Sequence, residues 1–187
     1  PFTFPFIWRR KNWQNGIVIA KVHRNYLEIK SIKELNNSKK PSENCNLQLI
    51  DPPDFQINKF FYKQIGKDFR WIDRLSWNEK NWIDYVEDAK VKTYVLQDKE
   101  DLIGYFEQIF HFEKKNCEIA YFGILKEYHG KKYGGFLLTE AIKNSFINGI
   151  EKIWVHTCSL DHKYALKNYQ ARGMKIFKTE TVNLNIN

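Results

Sequence analysis

Residues 117–138 read CEIAYFGILKEYHGKKYGGFLL, and the fold turns on how they are read. The apolar run over residues 119–125 predicts a β-strand. Residues 129–135 predict a short glycine-bearing loop, and the apolar periodicity of residues 133–147, stopped by Gly149, predicts a helix. A loop feeding a helix in this way points amide groups at the helix start, where the first N–H groups lack carbonyl partners and the dipole is positive. Such a place takes phosphate. Gly130, Gly134 and Gly135 permit close backbone approach, and Lys131 and Lys132 add positive charge. Taken alone, the same residues also read as a surface turn that opens a helix.

Composition bounds what surrounds this unit. The 187 residues fit one domain, 1–187, with the apolar and aromatic content of a packed core rather than of a disordered chain. The formal net charge of +8 favours anions, either nucleic acid or a phosphate-bearing cofactor. The lysines are spread along the chain instead of being gathered on one element, which argues against specific nucleic-acid binding. Cys45, Cys117 and Cys158 are odd in number and not in CxxC spacing. That argues against a disulfide framework or zinc site and fits a reducing cytoplasm. No apolar run reaches the ~18 residues of a membrane span. Residues 1–15 lack the apolar core of a signal peptide and read as an arm that packs on the body or on a partner subunit. With exposed sheet edges, such an arm makes a homodimer an expectation.

Outward from the central unit, residues 91–97, 102–111 and 118–125 predict an antiparallel meander turned at 98–101 and 113–116. Residues 153–158 predict a short strand. Residues 161–172 predict a helix with Asp161 as N-cap and Gly173 as its stop, and residues 176–184 a last strand. Upstream, alternation over residues 16–23 and 26–33 predicts a hairpin turned at Arg24 and Asn25. Residues 36–46 (NNSKKPSENCN) predict a mobile loop, and Pro52–Pro53 closes this region. A first helix is predicted over 57–65. A second, over 76–89, is opened by a Ser76–Glu79 capping box and carries Trp77, Trp82, Ile83 and Val86 at near-helical spacing. The order describes a mixed α/β fold, a mostly antiparallel central sheet flanked by helices.

Three linked pieces of the second half, within residues 102–177, resemble the GNAT superfamily of acyl-CoA-dependent N-acetyltransferases. ILKEYHGKKYGGFLL after its strand is similar to the family's cofactor loop, Gln/Arg-x-x-Gly-x-Gly/Ala. KIWVHTCSL follows as the next strand. HKYALKNYQARGM is similar to the closing Asn-x-x-Ala-x-x-x-Tyr-x-x-x-Gly-Phe, with Ala165, Tyr169 and Gly173 at matching intervals. The departures are His129 for Gln or Arg, Lys132 for the first glycine, His162 for Asn and Met174 for Phe. Lys132 stands out because a Cβ resists a left-handed backbone.

The resemblance implies acetyl transfer from acetyl-CoA to a primary amine, on a small molecule or a peptide, by direct transfer. It implies a pyrophosphate held by the amides of His129, Gly130, Lys131, Lys132, Tyr133, Gly134 and Gly135. It also implies a thioester carbonyl polarised by backbone N–H near Ile124 and Leu125. Tyr169 matches the tyrosine that protonates the leaving sulfur. Glu118, the one carboxylate of an apolar strand, is the candidate base, with a solvated strand-end glutamate as the plain alternative. His162 is expected to line the acyl or substrate end of the cleft. The aromatic residues Phe69, Trp71, Trp77, Trp82 and Tyr85 read chiefly as core, with one or two in an acceptor wall, and Asp73 and Glu79 are candidate amine binders. A Cys–His–Asp nucleophile built from Cys158, His156 and Asp161 is a minor reading. The competing function is a non-catalytic acyl-CoA-binding or regulatory module of the same fold.

Overall fold

A computed structural model describes residues 19–185. The predicted arm, residues 1–15, lies outside them. The chain runs β1 (Ile19–Ile29), β2 (Cys45–Leu49), α1 (Phe55–Phe69), α2 (Glu79–Val86), β3 (Val91–Asp98), β4 (Asp101–His111), β5 (Asn116–Ile124), α3 (Tyr133–Ile147), β6 (Lys152–Cys158), α4 (Ala165–Ala171) and β7 (Lys175–Asn185). These strands form one sheet in the order β2-β3-β4-β5-β6-β1-β7. Every pairing is antiparallel except β5 with β6. The predicted meander is β3-β4-β5.

Two cores follow from the alternation of the strands. On one face, Leu137, Leu138, Ala141 and Ile142 of α3 and Tyr169 of α4 pack over Leu27, Ile29, Phe106, Cys117, Ile119 and Ile153. On the other, Phe61 and Ile65 of α1 pack over Val95, Tyr105 and Leu125. A side chain at Gly123 would meet Ile65 at 2.7 Å, so α1 rests on β5 only because that position lacks one.

Four expectations are corrected. The hairpin at Arg24–Asn25 does not form: β1 runs unbroken through both residues, with β6 on one side and β7 on the other. Alternation alone cannot separate two short strands from one long one, and no glycine or proline forces a turn there. The loop of residues 36–46 ends in a strand, because Cys45 and Asn46 pair with Asp98 and Gln97 of β3. Helix α2 starts three residues after Ser76, where the Asn78 carboxamide and Asn81 cap each other reciprocally. Asp161 does not cap α4. Its carboxylate accepts from Thr157 Oγ1 at 2.7 Å and from the Cys158 N–H at 2.9 Å, which closes β6, and the helix begins at Ala165.

Candidate active site

The parallel pair β5–β6 holds for three residues only, Asn116–Glu118 against Lys152–Trp154. Beyond Glu118 the strands separate. The cause lies one step past that point: the β4–β5 register shifts between Glu107 and Gln108, which face Tyr121 and Ile119, leaving Ala120 as an extra residue. A bulge bends its strand and increases the local twist, so β5 leans away from β6 and a fork opens.

The Leu125 N–H donates to the Ile103 carbonyl at 2.9 Å. Residues 103 and 125 are thus a bonded pair of the ladder, and the neighbouring pair, Gly104 and Ile124, is of the non-bonded type. Ile124 therefore turns its N–H and C=O away from β4 and into the fork. Of the two residues expected to polarise a carbonyl, Ile124 has the available amide, and Leu125 is corrected to a buried structural position. The Ile124 carbonyl accepts from His129 Nε2 at 2.9 Å. His129, in place of the family's Gln or Arg, thus ties the loop back to the end of β5.

The loop then enters α3 through Gly130, at φ 78°, and Lys132, at φ 69°. Lys132 takes up the left-handed conformation that its Cβ disfavours, and it is the N-cap residue without a side-chain cap. The amides of Lys132, Tyr133, Gly134 and Gly135 are consequently the uncapped start of a fifteen-residue helix. Three side chains fix this turn. Asn168 donates to the Gly134 carbonyl at 3.1 Å, Tyr133 donates its hydroxyl to Asp98 at 2.6 Å, and Lys131 lies 5.0 Å over the Tyr128 ring. The bond to Asp98 pushes the Tyr133 phenol up to about 12, so Tyr133 is an anchor.

Tyr169 packs against Phe122 beside the fork, with ring centroids 6.1 Å apart, and is 6 % exposed. Burial, with Asp161 adding to it, raises its pKa well above that of an ordinary phenol and keeps the proton on oxygen. Glu118 stands at the apex of the fork. Burial raises its pKa, and Arg74 pulls the other way. His162 packs against Phe69 and His129, at 5.7 and 4.9 Å, at the open end where β5 and β6 finish.

On the α1–α2 side lies a charged network that sequence patterning did not reveal. Glu107, with no exposed surface, accepts from Arg74 Nη1 at 2.9 Å, Tyr85 at 2.7 Å and Asn58 at 2.8 Å. The Arg74 guanidinium lies 4.0, 4.1 and 4.7 Å from the rings of Tyr85, Tyr121 and Trp77. Burial is the largest single effect and works against its charge, but Glu107 together with the Tyr85 and Tyr121 phenols outweighs it. Most of the aromatic region therefore encloses an internal cation. Asp73, next in sequence to Arg74 and exposed, accepts from Tyr62 at 3.0 Å and from Tyr121. Glu79 lies exposed in the first turn of α2, outside this network. His156 on β6 is a second candidate base: desolvation by its surroundings, then the Arg24 charge, lowers its pKa and leaves the imidazole neutral near pH 7. Among the described residues, His156 and Cys158 make no hydrogen bond to each other. Asp161 is engaged by Thr157 and the Cys158 amide, so the geometry gives a Cys–His–Asp relay no support.

A forked β5–β6 pair followed by a glycine-bearing loop at a helix start defines an acyltransferase-like fold. The sequence profile of the Acetyltransferase (GNAT) family matches residues 56–174, and the chain belongs to that family. No curated protein sequence matches it. Among solved structures it is similar to an aminoglycoside acetyltransferase from an uncultured soil metagenomic sample. The identity is 12 % and the TM-score 0.60, over 71 % of this chain and 90 % of that one. It is also similar to a GCN5-related N-acetyltransferase from Sphaerobacter thermophilus, at 13 % identity and TM-score 0.67, over 90 % of this chain and 52 % of that one. An IAA acetyltransferase from Bacillus cereus shares 23 % identity at TM-score 0.53, over 72 % of this chain and 79 % of that one. At these identities the likeness establishes the fold. The chain spans about half the length of the Sphaerobacter protein.

Proposed function

We propose that the protein is an N-acetyltransferase that moves an acetyl group from acetyl-CoA directly to a primary amine. The observation that carries this reading is the fork itself, with the unpaired Ile124 amide facing into it and the uncapped start of α3 at its open end. These features fit an acyl-CoA: an extended thioester arm for the gap, a pyrophosphate for the amides. When bound, acetyl-CoA supplies the activated acyl carbonyl.

The residues divide the work as follows. The amides of residues 132–135, with Lys131 and Lys132, hold the phosphates. The Ile124 N–H points at the carbonyl oxygen and stabilises charge that builds there. Asp73, exposed and oriented by two phenols, attracts the ammonium form of the acceptor. Glu118, whose raised pKa brings it closer to that of a working base, takes the proton from the amine. Tyr169, still protonated, returns one to the departing sulfur.

The test is thiol release from acetyl-CoA across a panel of primary amines, with Tyr169→Phe alongside. The hydroxyl of Tyr169 has no hydrogen bond among the described residues, so the variant should fold as the parent does. It should lose activity on the order of a hundredfold. Binding of acetyl-CoA without turnover of any amine, with Tyr169→Phe indistinguishable from the parent, would overturn catalysis in favour of a non-catalytic acyl-CoA-binding module.

A further inference from the structure

Ile72, Asp73, Arg74 and Leu75 form one turn in the connection between α1 and α2, closed by the Leu75 N–H donating to the Ile72 carbonyl at 3.2 Å. The turn sorts its side chains. Arg74 goes inward to Glu107, while Asp73 is exposed and accepts from Tyr62 at 3.0 Å and from Tyr121. Ile72 and Leu75, at the two ends of the turn, are 46 % and 59 % exposed.

This turn lies over the fork, on the side away from α3. Tyr121, which holds Asp73, is on β5, three residues past Glu118. Burial lowers the pKa of His156 on β6, and the Asp73 charge acts against that lowering, so Asp73 stands within electrostatic reach of both walls. Just before the turn, Trp71 is seated on α1 with its Cβ 2.6 Å from where one at residue 66 would stand, a contact that only glycine permits there. Its ring meets Tyr121 near edge to face, 4.8 Å between centroids. The entrance to the fork on this side thus joins one carboxylate, two aromatic rings and two exposed aliphatic side chains.

The charge at this entrance is single. Among the described residues Asp73 has phenols, not cations, for partners. The carboxylates around it are taken: Asp68 pairs with Lys126 at 3.5 Å, Glu107 with Arg74 at 2.9 Å, and Asp161 accepts from Thr157 and the Cys158 N–H. The chain as a whole carries +8, which opposes the approach of a polycation. A second ammonium on the acceptor would lie against Ile72 or Leu75 and lose hydration without gaining a partner.

Resting on the N-acetyltransferase reading above, we infer that the acceptor is an apolar monoamine, an alkyl- or arylalkylamine whose single cation is the nitrogen that is acetylated. Asp73 gathers the ammonium beside the Trp71 and Tyr121 rings, and Ile72 and Leu75 carry the apolar body.

The probes are hexylamine and 1,6-diaminohexane, which match in length and differ by one ammonium, each read by thiol release from acetyl-CoA. The parent's kcat/KM should be at least about tenfold higher for hexylamine. Ile72→Gln combined with Leu75→Gln, both at exposed positions, should bring that ratio close to one by lowering the hexylamine value. Asp73→Asn, whose carboxamide oxygen still accepts from a phenol, should raise KM for hexylamine about tenfold and leave KM for acetyl-CoA unchanged. A kcat/KM for 1,6-diaminohexane equal to or above that for hexylamine overturns the acceptor class while leaving the acetyltransferase reading intact, as does a double variant that keeps the parent's ratio. Turnover of neither probe also overturns the class, and only failure of every amine in the wider panel overturns the acetyltransferase reading with it.

Discussion

The imidazoles of His129 and His162 meet near edge to face, 4.9 Å between centroids, one from the loop after β5 and the other from the loop after β6. They close the open end of the fork with two titratable rings. Burial, then the charges of His129 and Lys163, lowers the pKa of His162. A histidine whose folded pKa lies below its unfolded value is bound by fewer protons when folded, so stability rises with pH through that window. Thermal stability should therefore decline as pH falls from about 7 toward 5. His162→Gln should flatten that slope, and a variant with an unchanged slope would show that the pair is not linked to folding.

Glu118 has the opposite sign. Its folded pKa is raised by burial, so ionisation at neutral pH costs stability, and the favourable contribution is lost as pH rises through the folded pKa. Glu118→Gln should raise Tm at pH 7, leave it nearly unchanged near pH 4, and lower kcat with little change in KM for acetyl-CoA. A lowered Tm at pH 7 would mean that the carboxylate holds a partner that stabilises its charge.

Lys132 combines an unfavourable backbone with a useful charge. A non-glycine residue in the left-handed region costs about 1 kcal/mol, so Lys132→Gly should stabilise the fold by roughly that amount. The same substitution removes a cation from the phosphate site. CoA should bind more weakly at low salt, and the gap should narrow as salt rises. Equal affinity at low salt would mean that the ammonium does not reach the phosphates.

The pair Arg74–Glu107 is buried on both sides, at 5 % and 0 % side-chain exposure. Glu107→Ala strands a guanidinium among five aromatic rings and should cost about 3–5 kcal/mol in denaturant unfolding. A loss below ~1 kcal/mol would mean that water or a rearranged Tyr85 takes over the charge.

The second half of the fold was open to the sequence because its signals are local. Helix α3 is bounded by glycines near both ends, and the meander has turns rich in charge. The first half was less legible, since β1 and β2 are fixed by partners far away in the chain. Gly173 marks the stop of α4, and the structure sets Tyr169, which the family resemblance singles out, beside the fork. The Arg74–Glu107 network could not be read in advance. Its members come from α1, α2, the connection between them and β4, with no shared period, and a buried ion pair leaves no mark on a hydropathy pattern.

The placement of β1 bears on how the molecule is assembled. One wall of the fork, β6, touches the other wall over three residue pairs but is held along Arg24–Ile29 by β1, more than a hundred residues earlier in the chain. β1 is in turn flanked by β7, the last strand. The fork therefore waits on the pairing of segments more than a hundred residues apart. Pairings this distant are slow to find because the loop must close before any contact rewards it. The meander and its helices can form early from neighbouring segments, whereas the cleft arises in the final step, so a chain stalled before that step would carry a core and no site.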